Sequence, residues 1–433
     1  MIGEPLPRPE DAALLRGDGR YTDDLNEPGQ AYAWMVRSPH AHGVLRRVAT
    51  REAARLPGVL AVYTAADLAA YGPHKCNVAM PGIRVPERRS LAAGRVRYVG
   101  DPVACVIAQS VAAAKDAAEA VALDIEPLPA VTRASAAAAS GAPQLYDEVP
   151  GNVALEFRHG DAERVAAAFA GAAHVTRLAP RSTRVVVAPL EPRAALCVYA
   201  GERWTLHAPG QGVFGMRNQL ADILGVPPAR VRVLTGHVGG SFGMKGSIYP
   251  EYVCLAHAAR ALGRAVKWTD ERSGSFLSDQ HGRDHEMSAE LALDREGRFL
   301  ALRVTGFGNA GAWLATVAPL PATANVVKNT VGVYRTPLME VHTRLVLTNT
   351  TPVGAYRGAG RPEGNYYMER LVDQAAAEMG LDRLELRRRN HVRPEEMPYR
   401  AASGMTYDSG EFGTVLARAL AVALEADRAH FFA

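Results

Sequence analysis

The chain is poor in the features that announce several large classes of protein. Its four cysteines, Cys76, Cys105, Cys197 and Cys254, are far apart and form no Cys-x-x-Cys pair. That spacing suggests neither a zinc site nor an iron–sulfur cluster, and in a chain of 433 residues it is no disulfide framework. No run of about 18 apolar residues occurs, so no membrane span is expected. The opening Met-Ile-Gly-Glu-Pro-Leu-Pro-Arg has no apolar h-region and no twin arginine, which makes a cytoplasmic, reducing environment the expectation. Charge of one sign is also scarce: the formal net charge is +4, with no basic stripe interleaved with aromatics, so no nucleic-acid partner is expected. The run Arg387–Arg389 lies among Asp382, Glu385 and Glu395 and reads as a solvated helix face. A Gly-x-Ser-x-Gly elbow, a phosphate loop ending in Gly-Lys-Ser/Thr and internal repeats are all missing.

What is present is ordinary for a globular protein, with 48% hydrophobic and 22% charged residues, and a length sufficient for about two to four domains. After a Gly/Pro/Asp-rich lead-in over 1–30, strands are expected at Ala31–Arg37, Val59–Thr64 and Pro102–Gln109. The Ala-rich stretch Val111–Val121, with Lys115 and Glu119 at i, i+4 spacing, predicts a helix. The low-complexity tract 134–141 reads as a linker, giving a first α/β unit over 1–133, a linker over 134–152 and a larger unit over 153–433. Further strands are expected at His174–Val187, Ala194–Tyr199, Arg203–His207, Arg230–Leu234 and Leu338–Leu347. Helices are expected at Val213–Leu224, closed by Gly225, at Tyr249–Leu262, at Glu363–Met379 and at Val415–Glu425. Asp294–Gly297 reads as a hairpin turn. The fold class is α+β, mixed α/β.

Three glycine-bordered segments stand out: Gly210-Gln-Gly212 ahead of a helix carrying Arg217, the loop Gly239–Lys245, and Gly354–Glu363. Each sets glycines beside a polar or aromatic group at an element terminus, where free backbone N–H groups can bind an anion. In the loop, Phe242 offers an apolar edge and Lys245 a positive charge. Singly each segment could be a plain turn; together they read as three walls around one large anionic ligand. Gly306-Phe-Gly-Asn-Ala-Gly311 matches a dinucleotide fingerprint in letters. Pro319 and Pro321 deny it the following helix and no acid stands about twenty positions on, so it reads as a glycine-pocked strand. The pairs His40/His42 and His281/His285 lack a third ligand and read as core or hydrogen-bonding histidines, leaving no metal-ligand set. Glu191, Glu363 and Glu369 read as capping or salt-bridging acids.

With these residues assembled, the chain resembles the molybdopterin-binding large subunits of the xanthine dehydrogenase, aldehyde oxidase and carbon monoxide dehydrogenase family. The likeness rests on Val36–His42, Val96–Val103, Glu191-Pro-Arg193, Gln211 with Arg217, the glycine loop, Lys267-Trp268 and Ala355–Arg361, which occur in the family's order. It implies a hammerhead-like α/β domain followed by the first molybdopterin-binding domain. It also implies a molybdopterin cofactor carrying molybdenum, in the cytosine dinucleotide form. By the family pattern Gln211 would hydrogen-bond an oxo ligand of the metal, Gly240, Phe242 and Gly243 would lie beside it, and Ala355, Tyr356 and Arg357 would line the other side. Gln211 and Arg357 would be the catalytic residues of this chain, with the general-base glutamate expected in a C-terminal half that this chain lacks relative to the family.

The implied reaction is oxidative hydroxylation of an aldehyde or N-heterocycle by water, with electrons leaving to a 2Fe-2S small subunit and an FAD medium subunit. The other implied partner is a C-terminal half or complementary chain, without which activity is not expected. Two positions depart from the pattern: Gly358 stands where the carbon monoxide enzymes carry a copper-holding cysteine, and Ser241 replaces a usual glycine. Substrate is not legible, although Tyr356 and Trp313 are aromatics that can stack on a flat molecule, Trp313 reading more simply as core. A non-catalytic scaffold or assembly subunit that keeps the fold is the alternative reading.

Overall fold

Strand Pro102–Ala108 is apolar at every position after its proline and is buried throughout, which places it inside a sheet covered on both faces. That sheet has seven strands. Its order runs Val231–Leu234, Arg203–His207, Ala194–Ala200, Val266–Thr269, Ala31–Arg37, Pro102–Ala108, Val59–Thr64. Ala31 pairs in parallel with Val266, so strands from both sides of the 134–152 tract share one sheet. The computed structural model describes residues 2–431, with side chains described as far as residue 423. Within the alanine tract, Ala134–Ala137 forms a short helix whose Ala134 and Ala137 are buried with Val346.

A second sheet orders Val153–Gly160, Leu338–Leu347, Phe299–Gly311, His285–Leu293 and His174–Leu178, with Arg181–Ser182 also paired to His285–Leu293. The stretch 174–187 expected as one strand is therefore interrupted after Leu178, where Pro180 supplies no N–H to a ladder. The long helix Arg361–Met379 buries Tyr367, Met368, Leu371, Val372, Ala375 and Ala376 against this sheet's core. The fingerprint-like glycines lie in strand Phe299–Gly311, where each gives room for neighbouring backbone or side chain. A Cβ on Gly306 would lie 2.3 Å from Glu286 O, on Gly308 2.3 Å from Ala322 Cβ, and on Gly311 2.4 Å from Thr351 O. Mixed α/β architecture is thus what the structure has, and no helix of the described residues is long and apolar enough to cross a membrane.

The loop 73–90 of the first region folds back on the second. His74 donates its backbone N–H to Arg88 O at 2.8 Å, its Nε2 meets Ser90 Oγ at 3.0 Å, and Asn77 N donates to Thr316 O at 2.8 Å. Burial, aided by the Arg88 charge, pushes the His74 pKa down to about 3. An unfolded imidazole takes its proton near pH 6.5, so this contribution to stability is complete above that value and is lost as pH falls from there towards 3. A His74→Gln variant is expected to show a flatter dependence of denaturation midpoint on pH between about 6.5 and 4. An unchanged slope in urea titrations would contradict the burial of a neutral imidazole.

Candidate functional site

Helix Val213–Leu224 buries Met216, Leu220, Ala221, Ile223 and Leu224, one face at helical spacing, and ends on Gly225 in the left-handed region at φ +67°. Its N-terminal cap is Gly212, which has no side chain to close the helix, and Gln211 stands exposed just ahead of it. The Gln211 Oε1 accepts two hydrogen bonds, from Ser241 Oγ at 2.6 Å and from Gly243 N at 2.6 Å. With the oxygen committed to the loop, the amide Nε2 is turned outward with no partner among the described residues, ready to donate.

The loop that receives this amide leaves strand Val231–Leu234 and turns through left-handed backbone at Gly240 (φ +98°), Phe242 (φ +50°) and Gly243 (φ +106°). A bulky residue at positive φ is uncommon, and here it leaves Phe242 40% exposed beside two glycines. Glycine is required at positions 240 and 243: a Cβ on Gly240 would lie 2.9 Å from the Phe242 ring, and one on Gly243 2.6 Å from Ala355 O. That second contact joins the loop to the third segment. Arg357 N donates to Phe242 O at 2.9 Å, and the Arg357 guanidinium sits 5.8 Å from the Phe242 ring centroid without an ion-pair partner among the described residues.

The third segment is held from behind. Arg283 contacts both oxygens of Glu363, at 3.2 and 3.1 Å, and donates to Arg357 O at 2.7 Å, while Glu363 also accepts from Gly360 N at 2.9 Å. Tyr356 packs under the Arg283 guanidinium, 4.8 Å from its ring centroid, and against Gly282, where a Cβ would lie 2.3 Å from Tyr356 Cβ. Gly358 and Gly360 are both in the left-handed region. The backbone N–H groups of Phe242, Ala355 and Tyr356 make no hydrogen bond among the described residues.

Beneath the loop, Lys245 is 1% exposed and donates to Glu191 O at 2.7 Å and Glu191 Oε2 at 2.9 Å. Burial lowers its pKa, and the Glu191 carboxylate works against that fall. Lys245 therefore does not present its charge to a ligand, contrary to the expectation from the motif; it ties the loop to Glu191, which also accepts from Gly239 N at 2.9 Å. Two residues on, Arg193 is fully buried between Asp279 (2.5 Å), Glu251 (3.0 Å) and Ser278 Oγ (2.9 Å), with Arg37 on the other side of Glu251 at 2.8 Å. Burial alone would raise the Glu251 pKa; Arg193 and Arg37 outweigh it and hold the carboxyl well below the usual range.

Gln211, Ser241, Phe242, Gly243, Ala355 and Arg357 thus meet along one edge, while Tyr356 and Gly240 shape the backbone that forms it. Sequence reading overlooked Arg283 and the bond from Ser241. Arg283 lay inside a histidine pair weighed for metal, and Ser241 was noted only as a small replacement for glycine. Among the described residues no group of three or more His, Cys, Asp or Glu could hold a metal ion, and His285 Nδ1 is engaged by Tyr367 Oη at 3.0 Å.

Residues 145–391 match the model of a molybdopterin cofactor-binding domain, and residues 16–129 that of an aldehyde oxidase and xanthine dehydrogenase a/b hammerhead domain. The chain is 36% identical over 426 residues to the 6-hydroxypseudooxynicotine dehydrogenase complex subunit gamma of Paenarthrobacter nicotinovorans, covering 95% of this chain and 52% of that protein. It is 33% identical over 427 residues to the carbon monoxide dehydrogenase large chain of Hydrogenophaga pseudoflava, covering 95% and 53%. The structure of quinoline 2-oxidoreductase from Pseudomonas putida 86 superposes with a TM-score of 0.91 at 33% identity, over 99% of this chain and 56% of that one. The chain spans about half the length of the curated relatives it matches.

Proposed function

Because the chain belongs to the family of molybdenum hydroxylase large subunits, we propose that its three glycine-bordered segments form one flank of a molybdopterin site at which an N-heterocycle or aldehyde is hydroxylated with oxygen from water. The observation that carries this is the fixed Gln211 amide: two donors hold its oxygen in the loop, so its N–H group is presented to a ligand. The donor set suits an electron-rich oxo-metal group, with that amide, the unpaired N–H groups of Phe242, Ala355 and Tyr356, and the Arg357 guanidinium on one edge. When bound, the molybdenum–dithiolene group supplies the two-electron redox chemistry. Gln211 orients it by donating a hydrogen bond, the loop gives it room through Gly240 and Gly243, and Arg357 places positive charge where negative charge gathers. The cytosine dinucleotide form, a 2Fe-2S and an FAD partner subunit, and a second half bearing the general-base glutamate belong to the same reading.

An N-heterocycle is favoured over carbon monoxide by Gly358, which offers no thiol to hold copper. The names of relatives that act on nicotine and quinoline point the same way. The test is to co-express the chain with a segment corresponding to the remaining half of the relatives and to assay the purified complex for molybdenum and cytosine nucleotide by mass spectrometry. About one of each per complex is expected; a folded, stoichiometric complex with neither would defeat the proposal. In that complex Ser241→Ala frees one side of the Gln211 oxygen, and kcat is expected to fall about 3- to 10-fold with KM little changed, the effect of one hydrogen bond worth about 1 kcal/mol. An unaltered kcat would show that Ser241 does not position the amide.

A further inference from the structure

A cavity of 380 Å³ opens beside the site, and its wall follows the same helix that Gln211 precedes. Gly215 and Gln219 line it and, four residues apart, share one face of the helix that begins just after Gln211. The opposite wall comes from the loop 73–90 and the segment after strand Phe299–Gly311, contributing Asn77, Arg88, Trp313 and Thr316, with Gln280 closing the side towards Gly354. The cavity is rich in unspent donors. Trp313 is 6% exposed and its Nε1 is buried without a partner, while Gln280 is 4% exposed and its side-chain amide makes no hydrogen bond among the described residues. The Arg88 guanidinium lies 3.0 Å from the Trp313 ring centroid and has no carboxylate within ion-pair distance among the described residues. The other cation in the wall, Lys75, is already paired with Asp222 at 2.8 Å. The indole N–H, buried without an acceptor, costs stability, while the Arg88 guanidinium is left open to an incoming anion.

We infer that this cavity binds a planar aromatic carboxylate, its acid held by Arg88 and its ring or acceptor atoms met by Trp313 and Gln280. Guanidinium and carboxylate are matched in geometry, and an arginine spread over an indole is pre-organised for such an anion. Adjacency to Gln211 makes this the place where the non-reacting end of a substrate is read. That role rests on the functional reading above, whereas the binding itself does not.

The test uses the full chain with nicotinate as the probe and nicotinamide as its uncharged counterpart, followed by saturation-transfer NMR and tryptophan fluorescence. Nicotinate is expected to saturate in the millimolar range or below, and nicotinamide to bind at least about tenfold more weakly. Arg88→Gln should abolish that preference and weaken nicotinate about tenfold or more. Trp313→Phe keeps a ring but removes the N–H, and should weaken binding several-fold while removing the fluorescence response. Arg88→Lys, which keeps the charge and loses the flat fork, should fall between wild type and Arg88→Gln, and it serves if Arg88→Gln does not fold. Equal binding of the two probes, no saturation below about 20 mM, or Arg88 variants indistinguishable from wild type would overturn the inference. Molybdenum in the assembled Arg88→Gln complex should be unaffected, so failure here is separable from failure of the cofactor reading.

Discussion

Replacing Arg193 with methionine is expected to lower folding stability by about 3–5 kcal/mol, a large part of what holds a domain of ordinary stability folded. Methionine matches much of the volume but removes the charge shared by Asp279 and Glu251, whose side chains are 0% and 2% exposed. Those carboxylates would then be left buried, with only Arg37 near Glu251. The consequence reaches the site, because Asp279 begins the turn that runs through His281, whose carbonyl accepts from Gly354 N at 2.8 Å. Urea denaturation followed by circular dichroism measures the effect, and a loss below about 1 kcal/mol would contradict it. Adding Glu251→Gln to Arg193→Met should recover part of the loss, since one of the stranded charges is removed.

The second large effect is on the cofactor rather than on the fold. Gly243→Ala asks a non-glycine residue to hold φ +106°, at a cost of about 1–2 kcal/mol, and drives its methyl to 2.6 Å from Ala355 O. The loop and the third segment must part, and the bonds from Gly243 N to Gln211 and from Arg357 N to Phe242 break with them. Molybdenum per complex is expected to fall at least about tenfold, because an oriented donor set is what the metal group requires. Gly246→Ala is the matched control: in the same loop, its Cβ would meet nothing within 4 Å. Metal analysis normalised to protein distinguishes the two, and a Gly243→Ala complex with full molybdenum would refute the close-approach argument.

Much of this arrangement was legible because glycines mark left-handed backbone wherever they fall. The loop 239–245, the caps at Gly225 and Gly380, and the helix ahead of Gly380 follow from local chemistry. What sequence could not show are pairings set by distant segments. The parallel contact of Ala31 with Val266, and the hydroxyl of Ser241 reaching back 30 residues to Gln211, depend on tertiary placement. Lys245 shows the opposite failure: a cation beside a glycine loop invites assignment to an anion, yet burial spends it on Glu191. The break after Leu178 is readable in principle, since Pro180 sits inside the run and cannot donate to a ladder. The unsatisfied Trp313 N–H had no sequence signal, because a tryptophan in an apolar stretch reads as core.

The central claim is that Gln211, the Phe242–Gly243 turn and Arg357 face one molybdenum centre. Anomalous scattering at the molybdenum edge, from crystals of the chain co-expressed with a segment corresponding to the remaining half of its relatives, locates that metal directly. The predicted result is a single peak bordered by all three, with the Gln211 nitrogen within hydrogen-bond reach of a metal ligand. A peak distant from them, or one beside them with the Gln211 oxygen facing the metal, would contradict it.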